Sequence, residues 1–253
     1  MISVIVCSKQ KSEWDYHERN VNKTIGTQYE YIRIDNTTNA YGICTAYNKG
    51  VSRAKGDILV FVHEDVYFME PGWGNVLIKK FVEDESSGLI GVVGTKYLLS
   101  HHPAWLAAGQ PFLCGRVIHE LNGGDKYYLS IFSWDKNDTE VVAVDGLFFA
   151  IRKTLFQNIR FDDKNFDKFH FYDLDICMQV RRTHKLIVTW DILVKHLSAG
   201  HCDETWKEAG LRFLKKYKDE LPSSCVDKAP DSNPKIFGIN YDLKGIVPKR
   251  ANR

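Results

Sequence analysis

The run Asp57-Ile-Leu-Val-Phe-Val-His-Glu-Asp65 constrains the fold more than any other stretch of this chain. Ile58 to Val62 are all aliphatic or aromatic, with no polar residue among them. A strand exposed on one face alternates apolar and polar side chains, so an unbroken run marks a central strand covered on both faces. Such strands belong to α/β sheets and deliver their last residues to the carboxyl edge, where ligands bind. That edge here receives His63, Glu64 and Asp65, an acidic tip suited to a divalent cation and a phosphate. In an extended chain His63 and Asp65 share one side, and Glu64 points to the other.

The flanking sequence alternates strand and helix. Ile2 to Cys7 reads as a strand, and Ser12 opens a helix to about Ile25, with Asp15 completing an imperfect capping box. Tyr31 to Ile34 is a second strand. Ile43, Ala46, Tyr47, Gly50, Val51 and Ala54 recur at helical spacing and lead into the strand at 58–62. Pro71 suits the first turn of a third helix, whose apolar stripe is Trp73, Val76, Leu77 and Phe81. Leu89 to Val93 is a further strand. This rhythm predicts a mostly parallel, Rossmann-like sheet with helices on both faces.

Residues 97–140 lose the rhythm and predict an excursion over one sheet edge. Val141 to Ile151 reads as a second buried strand, and Leu186 to Trp190 as another. From Glu204 to Leu221 a helix presents Trp206, Gly210, Phe213 and Tyr217 on one face. After Pro222 the chain reads as an extended arm. The expected division is 1–203 as one domain in two halves (1–96 and 97–203), with 204–253 as C-terminal helix and arm.

Hydrophobic content of 44% and charged content of 26% are those of an ordinary globule. A net charge of +2 is too balanced to argue for nucleic acid. No apolar stretch is long enough for a spanning helix. The first residues form a strand-like run rather than a basic and apolar leader, so no secretory signal is expected. The six cysteines (7, 44, 114, 177, 202 and 225) lie scattered and read as reduced thiols of a cytoplasmic protein.

Three blocks of the chain carry a family likeness. Ala46-Tyr-Asn-Lys-Gly50 with Ala54-Lys-Gly-Asp57, followed by the strand and the His63-Glu-Asp65 tip, resembles the family 2 glycosyltransferases of GT-A fold. Those enzymes have an Asp-x-Asp tip there. Val144-Asp-Gly-Leu-Phe-Phe-Ala-Ile-Arg152 is similar to the family's acceptor-side strand. Phe161 to Phe166 with Tyr172-Asp-Leu-Asp-Ile-Cys177 is similar to its block ending in Glu-Asp-x-Asp. Order and spacing agree over about residues 1–200. The His-x-Asp tip is most like a branch that includes streptomycin-biosynthesis relatives.

The resemblance implies metal-assisted sugar transfer, with inversion, from a nucleotide-diphosphate sugar (UDP, GDP or dTDP) to a glycan, lipid-linked or small-molecule hydroxyl. A divalent cation, Mn2+ or Mg2+, would neutralise the diphosphate leaving group. Asp65 is the expected direct ligand and His63 stands where the family has its first Asp. Imidazole suits Mn2+ better than Mg2+. The resemblance adds His196 as a late metal contact and Asp173 as the base, with Asp175 in reserve. An apolar lining of Phe169, Phe171 and Tyr172 would raise the Asp173 pKa by desolvation. Asp145, Gly146 and Tyr172 fall on the acceptor side, with Tyr172 in place of the family's Glu. Nucleotide contacts are expected from Cys7, Ser8, Asp35, Asn48 and the tip residues His63, Glu64 and Asp65.

Rival readings are testable. A sugar-nucleotide pyrophosphorylase needs a Gly-rich loop after the first strand, and Cys7-Ser-Lys-Gln-Lys-Ser12 has no glycine. No G-x-G-x-x-G follows a strand, which disfavours a dinucleotide enzyme. A non-catalytic nucleotide-sugar or carbohydrate-binding protein is the alternative that the altered tip keeps open. A zinc site using His201 and Cys202 with Cys177 or His184 fits no zinc spacing. The Trp206, Phe213 and Tyr217 face, flanked by lysines, suits either docking on the core or peripheral membrane contact.

Overall fold

The strand Ile58–Val62 is buried along its whole length, and its two faces serve different layers. Leu59 and Phe61 lie in one apolar cluster, and Ile58, Val60 and Val62 in another. Burial on both sides is why the run tolerates no polar residue. The computed structural model describes residues 1–121, 126–198, 203–231 and 239–242.

In chain order the first half holds β1 (Ile2–Ser8), α1 (Trp14–Thr24), β2 (Tyr29–Asp35), α2 (Ile43–Arg53), β3 (Ile58–Val62), β4 (Val66–Phe68), α3 (Trp73–Glu83), β5 (Ser87–Gly91), β6 (Val93–Thr95) and β7 (Tyr97–Leu98). The second half begins with β8 (Leu113–Leu121), β9 (Lys126–Ile131), β10 (Thr139–Val141), β11 (Ala143–Val144) and β12 (Phe148–Arg152). It continues with α4 (Tyr172–Val180), β13 (Lys185–Val188), β14 (Val194–His196), α5 (Glu204–Lys216), β15 (Ser223–Ser224) and β16 (Ile239–Asp242).

The central sheet has seven strands in the order β10-β13-β5-β12-β3-β1-β2. Five run in one direction, and β10 and β12 oppose them. The expected α/β architecture with a mostly parallel sheet is therefore what the chain forms. Val21 of α1 and Trp73, Leu77 and Phe81 of α3 cover one face. Tyr47 of α2, Leu174 and Ile176 of α4 and Phe213 of α5 cover the other. A second sheet, in the order β11-β6-β8-β14-β4, is extended by β9 beside β8 and β16 beside β9. The chain steps from the first sheet to the second between β3 and β4. The linking residues are His63, Glu64 and Asp65, so the tip sits at the seam of the two sheets.

Several boundaries differ from the sequence reading, each for a local reason. The expected strand 141–151 is cut into three pieces because the chain changes sheet twice within it. The strand expected at 89–93 likewise divides at Val92 into β5 and β6. The third helix begins at Trp73 rather than at Pro71, because Gly72 takes a left-handed φ of 89° and caps it. Residues 97–140 supply β7, the antiparallel pair β8 and β9 of the second sheet and the start of β10, rather than a plain excursion. The last helix stops at Lys216. Its Phe213 and the following Tyr217 are buried in the core, Phe213 beside Phe171, so this part of the face docks on the core. No helix among the described residues is long and apolar enough to cross a membrane. Much of the expected C-terminal arm lies outside the described residues.

Candidate active site

The odd-numbered residues of β3 face the α2–α4 layer, and His63 continues that side into the tip. Its Nε2 lies 2.5 Å from the Tyr172 hydroxyl on the first turn of α4. His196, the last residue of β14, pairs with β4 at Val66 and so comes beside the tip from the second sheet. Its Nε2 is 3.5 Å from Asp65 Oδ1 and 3.0 Å from Ser198 Oγ. His63, Asp65 and His196 each offer a ligand atom, and these atoms lie within 4.8 Å of one another. Two imidazoles and a carboxylate form a donor set suited to Mn2+ or a similar transition ion.

Electrostatics follows from that packing. Burial works to raise the Asp65 carboxyl, but its hydrogen bond and charge interaction with His196 win and hold it well below the usual range. Burial works to lower His196, yet the same partner raises it. His63 is pushed down to about 4 by burial and then by the charge of His196. A neutral imidazole is the form that ligates metals.

Asp173 stands one residue beyond Tyr172. Its Oδ2 accepts from the Gly146 amide at 2.9 Å and its Oδ1 from its neighbour Leu174 at 2.9 Å. Desolvation and then the charge of Asp145 push its pKa up to about 7, against those backbone bonds. Asp145 in turn accepts from Trp105 Nε1 at 2.8 Å and from the Leu147 amide at 2.9 Å. Gly146 is fixed by space: a Cβ there would lie 2.2 Å from the Tyr172 hydroxyl. Phe171, just before Tyr172, adopts a left-handed φ of 65° at the start of α4. Such a conformation costs about 1–3 kcal/mol and is held by surrounding packing, here Trp206 and Phe213.

The remaining expected contacts divide. Cys7 lines a cleft of ≈360 Å³ at the ends of β1 and β2, with Lys9, Asn36, Tyr41 and Phe169 among its walls. Phe169 also faces His63, with ring centres 5.3 Å apart, so the cleft runs up to the tip. Ser8 and Glu64 bond each other at 2.7 Å, and Glu64 also accepts from the Lys9 and Gln10 amides. Its carboxylate thus clamps the turn after β1. Asn48 bonds the Phe161 backbone in both directions, fastening α2 to the following block. Asp35 closes a turn onto Thr37. Asp175 is fully buried and bound by Lys216, Tyr217 and Gln179, which makes it a structural anchor.

The sequence reading missed His119. It lies on β8 opposite His196, with ring centres 6.1 Å apart. No local signal marks it, because only the pairing of β8 with β14 brings it to the site. Cys177 is buried in the core and takes the Val144 amide, and His201 and Cys202 lie outside the described residues. The five described cysteines are free.

A mostly parallel α/β sheet with a metal-competent tip and a half-buried carboxylate nearby is an architecture of GT-A type. The chain belongs to the glycosyltransferase-like family, whose sequence model matches residues 3–223. Among solved structures it is similar to GalNAc-T7, determined with UDP, GalNAc and Mn2+, with a TM-score of 0.59 and 13% identity. That similarity covers 87% of this chain and 49% of the other, so this chain spans about half the length of GalNAc-T7. A weaker similarity, TM-score 0.45 and 12% identity, links it to A197 from STIV over 78% of this chain and 86% of the other. No curated protein matches it.

Proposed function

We propose that this glycosyltransferase-like protein transfers a sugar, with inversion, from a nucleotide-diphosphate sugar to an acceptor hydroxyl. The observation that carries the reading is the meeting of two chemistries across one seam: the His63, Asp65 and His196 cluster, and the Asp173 carboxylate held by Gly146. His63, Asp65 and His196 would hold the divalent cation, with Mn2+ favoured over Mg2+ by the two imidazoles. Bound there, the ion would supply Lewis-acid neutralisation of the diphosphate leaving group.

The chain's own residues account for the rest. The cleft walled by Cys7, Lys9, Tyr41 and Phe169 suits a nucleoside, with aromatic surface for a base and a lysine for phosphate. Asp173 accepts the proton of the acceptor hydroxyl as its oxygen attacks the sugar. A carboxyl near pH 7 matches that task, since a base works best with a pKa close to the operating pH. Asp145 and Trp105 orient the acceptor loop around it.

Thermal shift with UDP-, GDP- and dTDP-sugars, each with and without Mn2+, is the first test. A cation-dependent rise with one nucleotide supports the reading, and no shift at millimolar concentration counts against it. Asp173→Asn should keep that shift while turnover falls by about 10³-fold or more. Retained turnover in the variant refutes Asp173 as base. Binding without turnover in the wild-type chain would favour a non-catalytic sugar-nucleotide binder.

A further inference from the structure

The Tyr172 hydroxyl joins two parts of the site that lie 109 residues apart in sequence. On one side it meets His63 Nε2 at 2.5 Å, and on the other it donates to the Gly146 carbonyl at 3.0 Å. A carbonyl can only accept, and a phenol has one proton to give. Spending that proton on Gly146 leaves the phenol oxygen as acceptor toward His63. The imidazole must then carry its own proton on Nε2, which puts its lone pair on Nδ1. Tyr172 is 3% exposed, so solvent does not compete for these bonds.

Gly146 continues the chain, because its amide donates to Asp173 Oδ2 at 2.9 Å. The ionised Glu that the resemblance puts at position 172 would accept from His63 but could not donate to Gly146. The tyrosine is thus the element of this chain that links tip, loop and carboxylate.

We propose that Tyr172 is a positioning residue: it holds His63 in the Nε2–H tautomer, reserves Nδ1 for the cation, and sets the tip against the loop that carries Asp173. This rests on the reading of His63 as a metal ligand. Partners of metal-bound histidines fix ring orientation and tautomer, and their loss costs about 10–100-fold in metal affinity.

The test separates the two readings. Long-range 1H–15N spectra of the metal-free, histidine-labelled protein report the tautomer directly, with His63→Gln identifying the signal. The expected wild-type spectrum shows His63 protonated at Nε2. Tyr172→Phe should give a mixture of tautomers and weaken Mn2+ binding, read by electron paramagnetic resonance, by about 10-fold or more. The near-isosteric change should leave circular dichroism unaltered. A wild-type His63 protonated at Nδ1 overturns the proposal, as does a variant with unchanged spectrum and Mn2+ affinity. A wild-type chain that binds no Mn2+ but shows the Nε2–H signature, lost in Tyr172→Phe, supports the lock and refutes only the metal reading.

Discussion

At Asp173 two environmental effects act in one direction, and their separation is measurable. Burial contributes most and the Asp145 charge second, together pushing the carboxyl up to about 7. On the proposed mechanism the base works deprotonated, so kcat/KM should rise with pH and level off above about 7. Asp145→Asn removes the repulsion but keeps the burial, so the inflection should move to lower pH without vanishing. A profile flat between pH 5 and 8, read as initial rates of nucleotide release, would dismiss Asp173 as the titrating group. Residues at this scale were legible where chemistry and spacing travel together: His63, Asp65 and His196 do converge. Glu64 was less legible, because its fate depends on the turn after β1, whose three donors claim its carboxylate. His119 was illegible for the opposite reason, since a lone His on a strand gains meaning only from its pairing partner.

The α5 helix is joined to α4 by a buried carboxylate as well as by its apolar stripe. Asp175 accepts from Lys216 Nζ at 2.5 Å, Tyr217 Oη at 2.7 Å and Gln179 Nε2 at 2.7 Å, while Lys216 also reaches Asp162 at 2.7 Å. Removing one partner of such a pair strands the other charge in a low-dielectric site, at a cost of about 3–5 kcal/mol. Lys216→Met should therefore lower urea-unfolding stability by about that much, and Asp175→Asn by less, because the amide keeps an acceptor for Tyr217. A loss under about 1 kcal/mol for Lys216→Met would show that packing of Phe213 alone holds the helix. Hydrophobic periodicity revealed the helix and its buried face. It could not reveal that the reserve base is an anchor, because that depends on where Lys216 lands across the α4–α5 contact. The antiparallel β12 was hidden for a related reason: Phe148 to Ile151 are buried like a parallel strand, and burial carries no direction.

For the whole molecule, the arrangement of two sheets with the site at their seam follows from non-local pairings such as β8 with β14, which sequence pattern alone does not encode. That architecture also encloses a histidine on α1, with a global consequence. His17 of α1 is 1% exposed; its Nδ1 lies 2.7 Å from the Tyr31 hydroxyl, and its Nε2 has no hydrogen-bond partner among the described residues. Desolvation is the largest influence and brings its pKa down to about 4 from the ordinary 6.5, although the charge of Asp65 opposes it. As pH falls below 6.5 the unfolded chain binds this proton before the folded one does. Stability attributable to His17 is therefore intact above pH 6.5 and is lost as pH falls toward 4, by about 2 kcal/mol between pH 7 and pH 5. His63, also brought to about 4, adds a loss in the same direction, whereas His196, raised by Asp65, works against it. His17→Gln keeps a polar partner for Tyr31 but does not titrate. Urea unfolding at pH 7 and pH 5 should accordingly show a smaller stability difference in the variant than in the wild-type chain, by about 2 kcal/mol. Equal differences in the two proteins would mean that the folded state accommodates a charged His17, and the buried-neutral assignment would fall.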